Sequence, residues 1–172
     1  AQAALNRIFR TLDTTNRVDD KPEALPMPQI QGHVRYEDVW FEYEPGQPVL
    51  KGIDLHVDPG QMVALVGFSG SGKTTMISLL LRHYDPKEGR ILVDGIDLRE
   101  TQLLSYRHQL GVVMQESILF NTTILENIRY GRMEATEEEV FEAARAANIH
   151  DAIEALPDGY QTKIGEDGIK LS

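Results

Sequence analysis

The sequence predicts an α/β fold with a helical appendage after residue 116, and three observations carry that prediction. Residues 33–43, HVRYEDVWFEY, are rich in β-branched and aromatic side chains, the composition of a strand. A continuous apolar run, MVALV at 62–66, leads through a glycine-rich turn into TTMISLLLRHY, whose apolar positions recur at helical spacing. From about Glu116 onward the character becomes helical.

Leu5, Ile8, Phe9 and Leu12 sit at helical spacing, so residues 3–13 read as a short amphipathic helix. The following stretch holds Pro22, Pro26 and Pro28 with little periodicity, as expected of a linker that separates this helix from what comes next. After the first strand, EPGQP supplies a turn, and GIDLHVD alternates Ile53, Leu55 and Val57 as a half-buried strand does. MVALV, apolar throughout, reads as a strand covered on both faces. GRILVDGIDL predicts a short strand and turn, and GVVM at 111–114 another buried strand. Thr136-Glu137-Glu138-Glu139 is a capping box that opens a helix through Val140, Ala144 and Ala147, and Asp151 is expected to cap the next one.

Composition narrows the function. At 172 residues the chain is long enough for one ordinary core, and 41% hydrophobic with 26% charged residues is a globular profile. Asp and Glu number 27 against 17 Lys and Arg, for a formal charge of -10, so no general nucleic-acid face is expected and any anion site must be built locally. With no cysteine there is neither a disulfide framework nor a thiolate metal site. The longest uninterrupted apolar run, Met62 to Phe68, is far short of the roughly 20 residues a spanning helix needs. His33, His56, His83, His108 and His150 show no metal-ligand spacing and read as packing or surface residues. Asp94 and Asp97 read as solvated turn residues, and Glu134–Glu139 as a helix N-terminus.

One motif carries chemistry. GFSGSGKT, Gly67 to Thr74, matches G-x-x-x-x-G-K-[ST] at every fixed position, between an apolar run and a helical segment as the motif demands. Gly67, Gly70 and Gly72 let the backbone turn tightly, so that the amides around Ser69 and Ser71 face inward as a nest for phosphate oxygens. The nest lies at the positive end of the following helix. Lys73 supplies a full positive charge to the terminal phosphates. The Thr74 hydroxyl suits a Mg²⁺ bridging the outer two of them, with Thr75 next in the first turn. The expected ligand is a nucleoside triphosphate.

With its flanks, the sequence resembles the nucleotide-binding domain of an ABC transporter, most like exporters whose membrane and ATPase parts are fused. WFEYEPGQPVLKGIDLHVDPGQMVALVGFSGSGKTT is similar to the family's opening strands plus its phosphate loop. Tyr43, 24 residues before Gly67, stands where the family places an aromatic that stacks on adenine. GVVMQES puts Gln115, 42 residues after Lys73, where the family has a glutamine reaching Mg²⁺ or the attacking water. ILFNTTILENIRYG is similar to the start of the exporter helical subdomain, and GEDGIKLS to the loop entering the LSGGQ signature, of which Leu171 and Ser172 remain.

The resemblance implies a P-loop NTPase core of the ABC ATPase type, with an antiparallel β subdomain, a partial helical subdomain, and the C-terminal part missing. Residues 1–31 would be an amphipathic helix and linker from a transmembrane domain, 32–115 the ATP-binding core, and 116–172 the partial helical subdomain ending in the signature. It further implies ATP and Mg²⁺, a transmembrane domain in the same polypeptide, and a second nucleotide-binding domain across which Ser172 would meet the γ-phosphate. The site would work at the cytoplasmic face of the cell membrane, coupling ATP binding and hydrolysis to export. No residue present is a credible general base, Glu116 included. The 172 residues alone are therefore expected to hydrolyse ATP negligibly and, lacking sheet strands, to be marginally stable. A non-hydrolysing module of an asymmetric pair, and a soluble ABC-type ATPase of DNA repair or translation, are the alternatives; the latter's basic surface or inserted coiled coil is not seen.

Overall fold

The computed structural model describes residues 18–114 and 119–165. The chain divides into two compact units, Ala1–Gly111 and Val112–Ser172.

The first unit is organised by a four-stranded antiparallel sheet. Strands β1 (Val34–Glu42), β2 (Pro48–Val57), β3 (Glu88–Val93) and β4 (Ile96–Asp97) lie in the order β2-β1-β3-β4. The β1–β2 hairpin closes through the expected turn, with Gln47 N donating to Glu44 O at 3.1 Å. Strict alternation along β1 would put Tyr36, Asp38 and Trp40 on one face. A bulge intervenes instead: Tyr36 pairs with Leu55 and Val39 with Ile53, and Asp38 between them takes φ 46. The extra residue sends Val39 and Phe41 to the same side as Tyr36, all three buried, and leaves Trp40 outward. Helix α1 (Lys73–Leu80) covers this face through Leu79, and the Tyr36 hydroxyl donates to Met76 O at 2.9 Å. Val39, Leu50, Leu79 and Ile91 are each at most 2% exposed, and burying one such aliphatic stabilises by about 1.5–3 kcal/mol.

Helix α1 stops earlier than the periodicity of TTMISLLLRHY predicts. His83 N donates to Ser78 O and Arg82 N to Leu79 O, with Arg82 in the left-handed region at φ 52: this is a Schellman ending with arginine where glycine is usual. A 3₁₀ turn (Leu98–Glu100) and helix α2 (Leu103–Arg107) follow β4. The described part of the proline-bearing linker is no spacer. Leu25 forms a parallel bridge with Thr101, Met27 is buried, and Met27 N donates to Ser105 Oγ at 2.8 Å.

Two expected strands are absent among the described residues. Residues 62–66 and 111–114 carry no ladder, and Met62, Val66 and Val113 are 100%, 89% and 98% exposed. An unbroken apolar run states that both faces call for cover. It does not supply neighbours, and a parallel strand is held only by ladders to segments distant in the chain. The β1–β2 and β3–β4 ladders close across short turns and β3 adds to the edge of the first hairpin, whereas the short β5–β6 ladder joins segments distant in the chain.

The second unit is mainly helical, as the sequence predicts. Strands β5 (Thr122–Thr123) and β6 (Lys163–Ile164) pair antiparallel beside helices α3 (Ile124–Arg129), α4 (Glu137–Ala146) and α5 (His150–Glu154). Ile124, Leu125, Val140, Ala144, Ile153 and Ile164 form its core. The capping box is present: Thr136 Oγ1 accepts from Glu139 N, and the Glu139 carboxylate accepts from Thr136 N. Asp151 does not cap α5. The cap position is Ile149, without a side-chain bond, and Asp151 lies inside the first turn.

Candidate functional site

The phosphate-loop motif folds into an exposed turn that runs directly into α1. Gly72 is the N-cap residue, with φ 89, and Met76 N donates to its carbonyl at 2.9 Å. Two features make glycine necessary here. A Cβ on Gly72 would lie 2.6 Å from Leu50 Cδ2, and its φ is one that side chains other than glycine's rarely adopt. Because glycine has no side chain, nothing caps α1, and the first-turn N–H groups are left for a ligand.

Lys73 is gathered back into its own loop. Its ammonium donates to Gly67 O at 2.8 Å, Phe68 O at 2.7 Å and Ser71 Oγ at 3.2 Å. The Ser71 hydroxyl approaches Gly67 so closely that a Cβ there would meet it at 2.8 Å. The turn is therefore wrapped around a fixed positive charge, with Ser69 and Gly70 exposed at its outer edge. Thr74 is exposed at the same helix start and presents a hydroxyl to solvent. Uncapped amides, one ammonium and one hydroxyl converging on a helix N-terminus form a donor set for an anion with several oxygens. That set fits a triphosphate. Among the described residues Thr74 offers Mg²⁺ one oxygen, which suits an ion held largely by phosphate and water.

Tyr43 lies just past β1, 42% exposed, with its hydroxyl 3.1 Å from Thr75 Oγ1. Thr75 is buried in the first turn of α1, so the contact joins the end of β1 to the start of the phosphate-loop helix. The hydroxyl of Thr75 is thereby engaged, and its share in holding a ligand falls to its backbone N–H. The Tyr43 ring stands edge-on to Phe41 and Tyr84, centroids 4.9 and 5.2 Å away, and the three border a cleft of about 490 Å³ that continues over Asp85 and Lys87. Tyr84 was not anticipated from the sequence. Its only signal there is an aromatic four residues past Leu80, the last residue of α1.

Of the expected site residues, the structure brings Tyr43, Gly67, Gly72, Lys73, Thr74 and Thr75 together around the start of α1. Gln115 and Ser172 lie outside the described residues, as does Glu116. Asp94 and Asp97 depart from expectation. Asp94 is not a solvated turn residue: its carboxylate accepts from the amides of Gln31 (2.6 Å), Gly32 (3.1 Å) and His33 (2.8 Å). Asp97 caps the 3₁₀ turn and pairs with Arg99 at 2.7 Å. Burial opposes ionisation of Asp97, but the hydrogen bonds and charge of Arg99 outweigh it and hold the carboxyl below the usual range. His33 and His56 lie at the surface, one of the two expected readings, and strand pairing brings their rings together.

Comparison with known proteins shows the family of the chain. The family model described as ABC transporter matches residues 50–172. The chain is 46% identical over 171 residues to the putative multidrug export ATP-binding/permease protein YgaD of Bacillus subtilis (strain 168), covering 99% of this chain and 30% of that protein. It is 46% identical over 170 residues to the ATP-dependent lipid A-core flippase of Syntrophus aciditrophicus, covering 99% of this chain and 28% of that one. Among solved structures, a bacterial Atm1-family ABC exporter with ATP bound superimposes with a TM-score of 0.90 at 45% identity, covering 98% of this chain and 29% of that chain. The chain belongs to the ABC transporter family, and its fold is that of the nucleotide-binding domain of an exporter. It spans about three tenths of the length of these two relatives.

Proposed function

We propose that this chain is the ATP-binding part of an ABC exporter, in which ATP binding and hydrolysis drive export across a membrane. The observation that carries the reading is the turn from Gly67 to Lys73, closed around an ammonium at an uncapped helix start. The amides of the turn and of the first helical residues hold phosphate oxygens, Lys73 neutralises the outer phosphates, and Tyr43 offers its ring to adenine. Thr74 and Gln115 would hold Mg²⁺, which would supply positive charge to the phosphates. Gln115 orients the water that attacks the γ-phosphate, and Ser172 meets that phosphate from a second copy or sister domain.

Within the longer protein, residues 1–31 lead out of a transmembrane domain, 32–115 bind the nucleotide, and 116–172 receive motion from the membrane part. Among the described residues no helix is long and apolar enough to cross a membrane, so the proposed spans lie in the remainder of the polypeptide. The nucleotide site then faces the cytoplasm.

The test is ATP affinity in the intact protein with Lys73→Ala. Loss of a full charge from the β/γ-phosphates is expected to weaken binding by about tenfold or more, since hydrogen bonds to charged groups contribute about 1.5–3 kcal/mol. Unchanged ATP affinity in a folded Lys73→Ala protein would remove the loop from the site.

A further inference from the structure

The geometry points to a divalent transition-metal site of the Zn²⁺ type, made by His33, His56 and Asp58 at one end of the β1–β2 ladder. Among the described residues these three form the one group of His and carboxylate side chains whose ligand atoms converge. The site is separate from the phosphate loop and independent of the function proposed above.

Sequence spacing conceals it, because 22 residues lie between the two histidines. Antiparallel pairing removes that distance. Val34 pairs with Val57 and Arg35 with His56, so the residue preceding β1 comes alongside the end of β2. His33 Nε2 and His56 Nε2 are 3.0 Å apart, His56 Nε2 and Asp58 Oδ1 2.9 Å, and His33 Nε2 and Asp58 Oδ1 4.0 Å. Those three separations (3.0, 2.9 and 4.0 Å) define a triangle whose circumcentre lies about 2.0 Å from each corner, the length of a Zn–N or Zn–O bond. Sub-ångström side-chain rotations would even out the three separations to those of a tetrahedral ion, with the fourth position open to water.

Proton chemistry alone serves this arrangement poorly. A neutral imidazole carries one N–H. If His56 donates from Nε2 to Asp58, the same single proton has to serve His33 as well. If His33 donates to His56 instead, the 2.9 Å contact of His56 with the carboxylate has no proton in it. A divalent cation satisfies all three lone pairs at once. Imidazole nitrogen with one carboxylate oxygen suits Zn²⁺, Cu²⁺ or Ni²⁺ in preference to Mg²⁺ or Ca²⁺, which take oxygen.

The backbone beneath the cluster is fixed from both sides. His33 N donates to Asp94 Oδ1 at 2.8 Å, and Asp94 N returns a bond to His33 O at 2.7 Å. Asp58 sits in a tight turn, its N donating to Gln61 Oε1 at 2.8 Å and its carbonyl accepting from Gln61 N at 3.2 Å. Ligands on two segments, each held by its own hydrogen bonds, need little rearrangement to close on an ion. The rings stand partly exposed, His33 at 31% and His56 at 57% for the side chain, so an ion can enter from solvent.

The experiment is Zn²⁺ titration of the intact protein against a chromogenic chelator, in excess Mg²⁺, beside His33→Gln, His56→Gln and the double variant. The wild type is expected to bind one more Zn²⁺ per chain than the double variant, and each single variant to bind that ion at least about tenfold more weakly, as loss of a ligand requires. Zn²⁺ should raise the melting temperature of the wild type and not of the double variant, whose metal-free melt matches the wild type because all three side chains are on the surface. Cu²⁺ in place of Zn²⁺ gives a second readout: nitrogen hyperfine coupling from two imidazoles in the wild type, and from one in either single variant. Equal Zn²⁺ stoichiometry and affinity in all four proteins, or Cu²⁺ spectra that do not change with the substitutions, would overturn the site.

Discussion

The phenolic oxygen of Tyr43 and Oγ1 of Thr75 lie 3.1 Å apart, joining the end of the first strand to the first turn of the phosphate-loop helix. The aromatic proposed for the base and the helix start proposed for the phosphates are thus one mechanical unit. Thr75 is the buried partner and Tyr43 the half-exposed one, so the bond holds the ring rather than the helix.

From this follows a prediction about base recognition. Tyr43→Phe and Thr75→Val each delete the bond and keep the bulk. Either is expected to weaken ATP binding by about 0.5–1.5 kcal/mol, the worth of an ordinary hydrogen bond, while affinity for inorganic tripolyphosphate stays as it was. Tyr43→Ala removes the ring itself, and a loss of about 1–3 kcal/mol for ATP is expected. Calorimetric titration with both ligands separates the cases. Equal losses for ATP and tripolyphosphate would mean that Tyr43 supports the loop and does not meet the base.

Gly72→Ala tests the loop's backbone. The substitution brings a Cβ to 2.6 Å from Leu50 Cδ2 and forces a left-handed φ of 89 on a residue with a side chain. The conformational cost alone is about 1–2 kcal/mol, and crowding a buried neighbour adds about 1–3 kcal/mol. Urea unfolding should show a lower midpoint with an unchanged slope. A midpoint equal to the wild type would mean that the loop relaxes around the methyl group.

How far the sequence reached depended on whether the determinants were local. The phosphate loop, the capping box at Thr136 and the strand around Tyr36 were legible because neighbouring residues decide them. The bulge at Asp38 was not, although it decides which residues of β1 face the core; it depends on the pairing of Tyr36 with Leu55 and of Val39 with Ile53. For the same reason the His33–His56 contact was missed, being created by strand register across 22 intervening residues. The run MVALV misled in the opposite direction. Its composition asks for a buried strand, and a buried strand is a property of neighbours as much as of its own residues.

Asp97 gives a pH prediction. Its folded-state carboxyl titrates below the usual range, so relative to the unfolded chain it contributes stability that is fully present above roughly pH 4 and is lost as pH falls through the lower folded value. Asp97→Asn should therefore lower stability at neutral pH and flatten the decline of stability on acidification. Thermal melts of both proteins between neutral and acid pH provide the check. Parallel curves would assign the acid sensitivity to other carboxylates.

Arg82 is a buried cation, and its partners determine what it contributes. Its residue is 1% exposed, yet the guanidinium donates to Thr101 O at 2.7 Å, to Asp85 Oδ1 at 3.2 Å and to Asp19 O at 3.3 Å, with Asp20 Oδ1 at 3.5 Å. One side chain thus ties the docked linker and the turn before α2 to the end of α1. That set of bonds also accounts for arginine at φ 52, where glycine would be less strained. Arg82→Met removes the charge while keeping length, leaving the Thr101 carbonyl and Asp85 without their shared donor. Asp85 and Asp20 are 32% and 39% exposed for the side chain, so solvent takes over their charge, and the expected cost is that of leaving the buried Thr101 carbonyl without its donor, about 1–3 kcal/mol. Arg82→Lys should recover little of this, because a single ammonium cannot reproduce a fork that donates in three directions at once. Chemical denaturation of the three proteins decides the matter. A lysine variant as stable as the wild type would show that charge alone holds the linker, and that the planar geometry of the guanidinium is incidental.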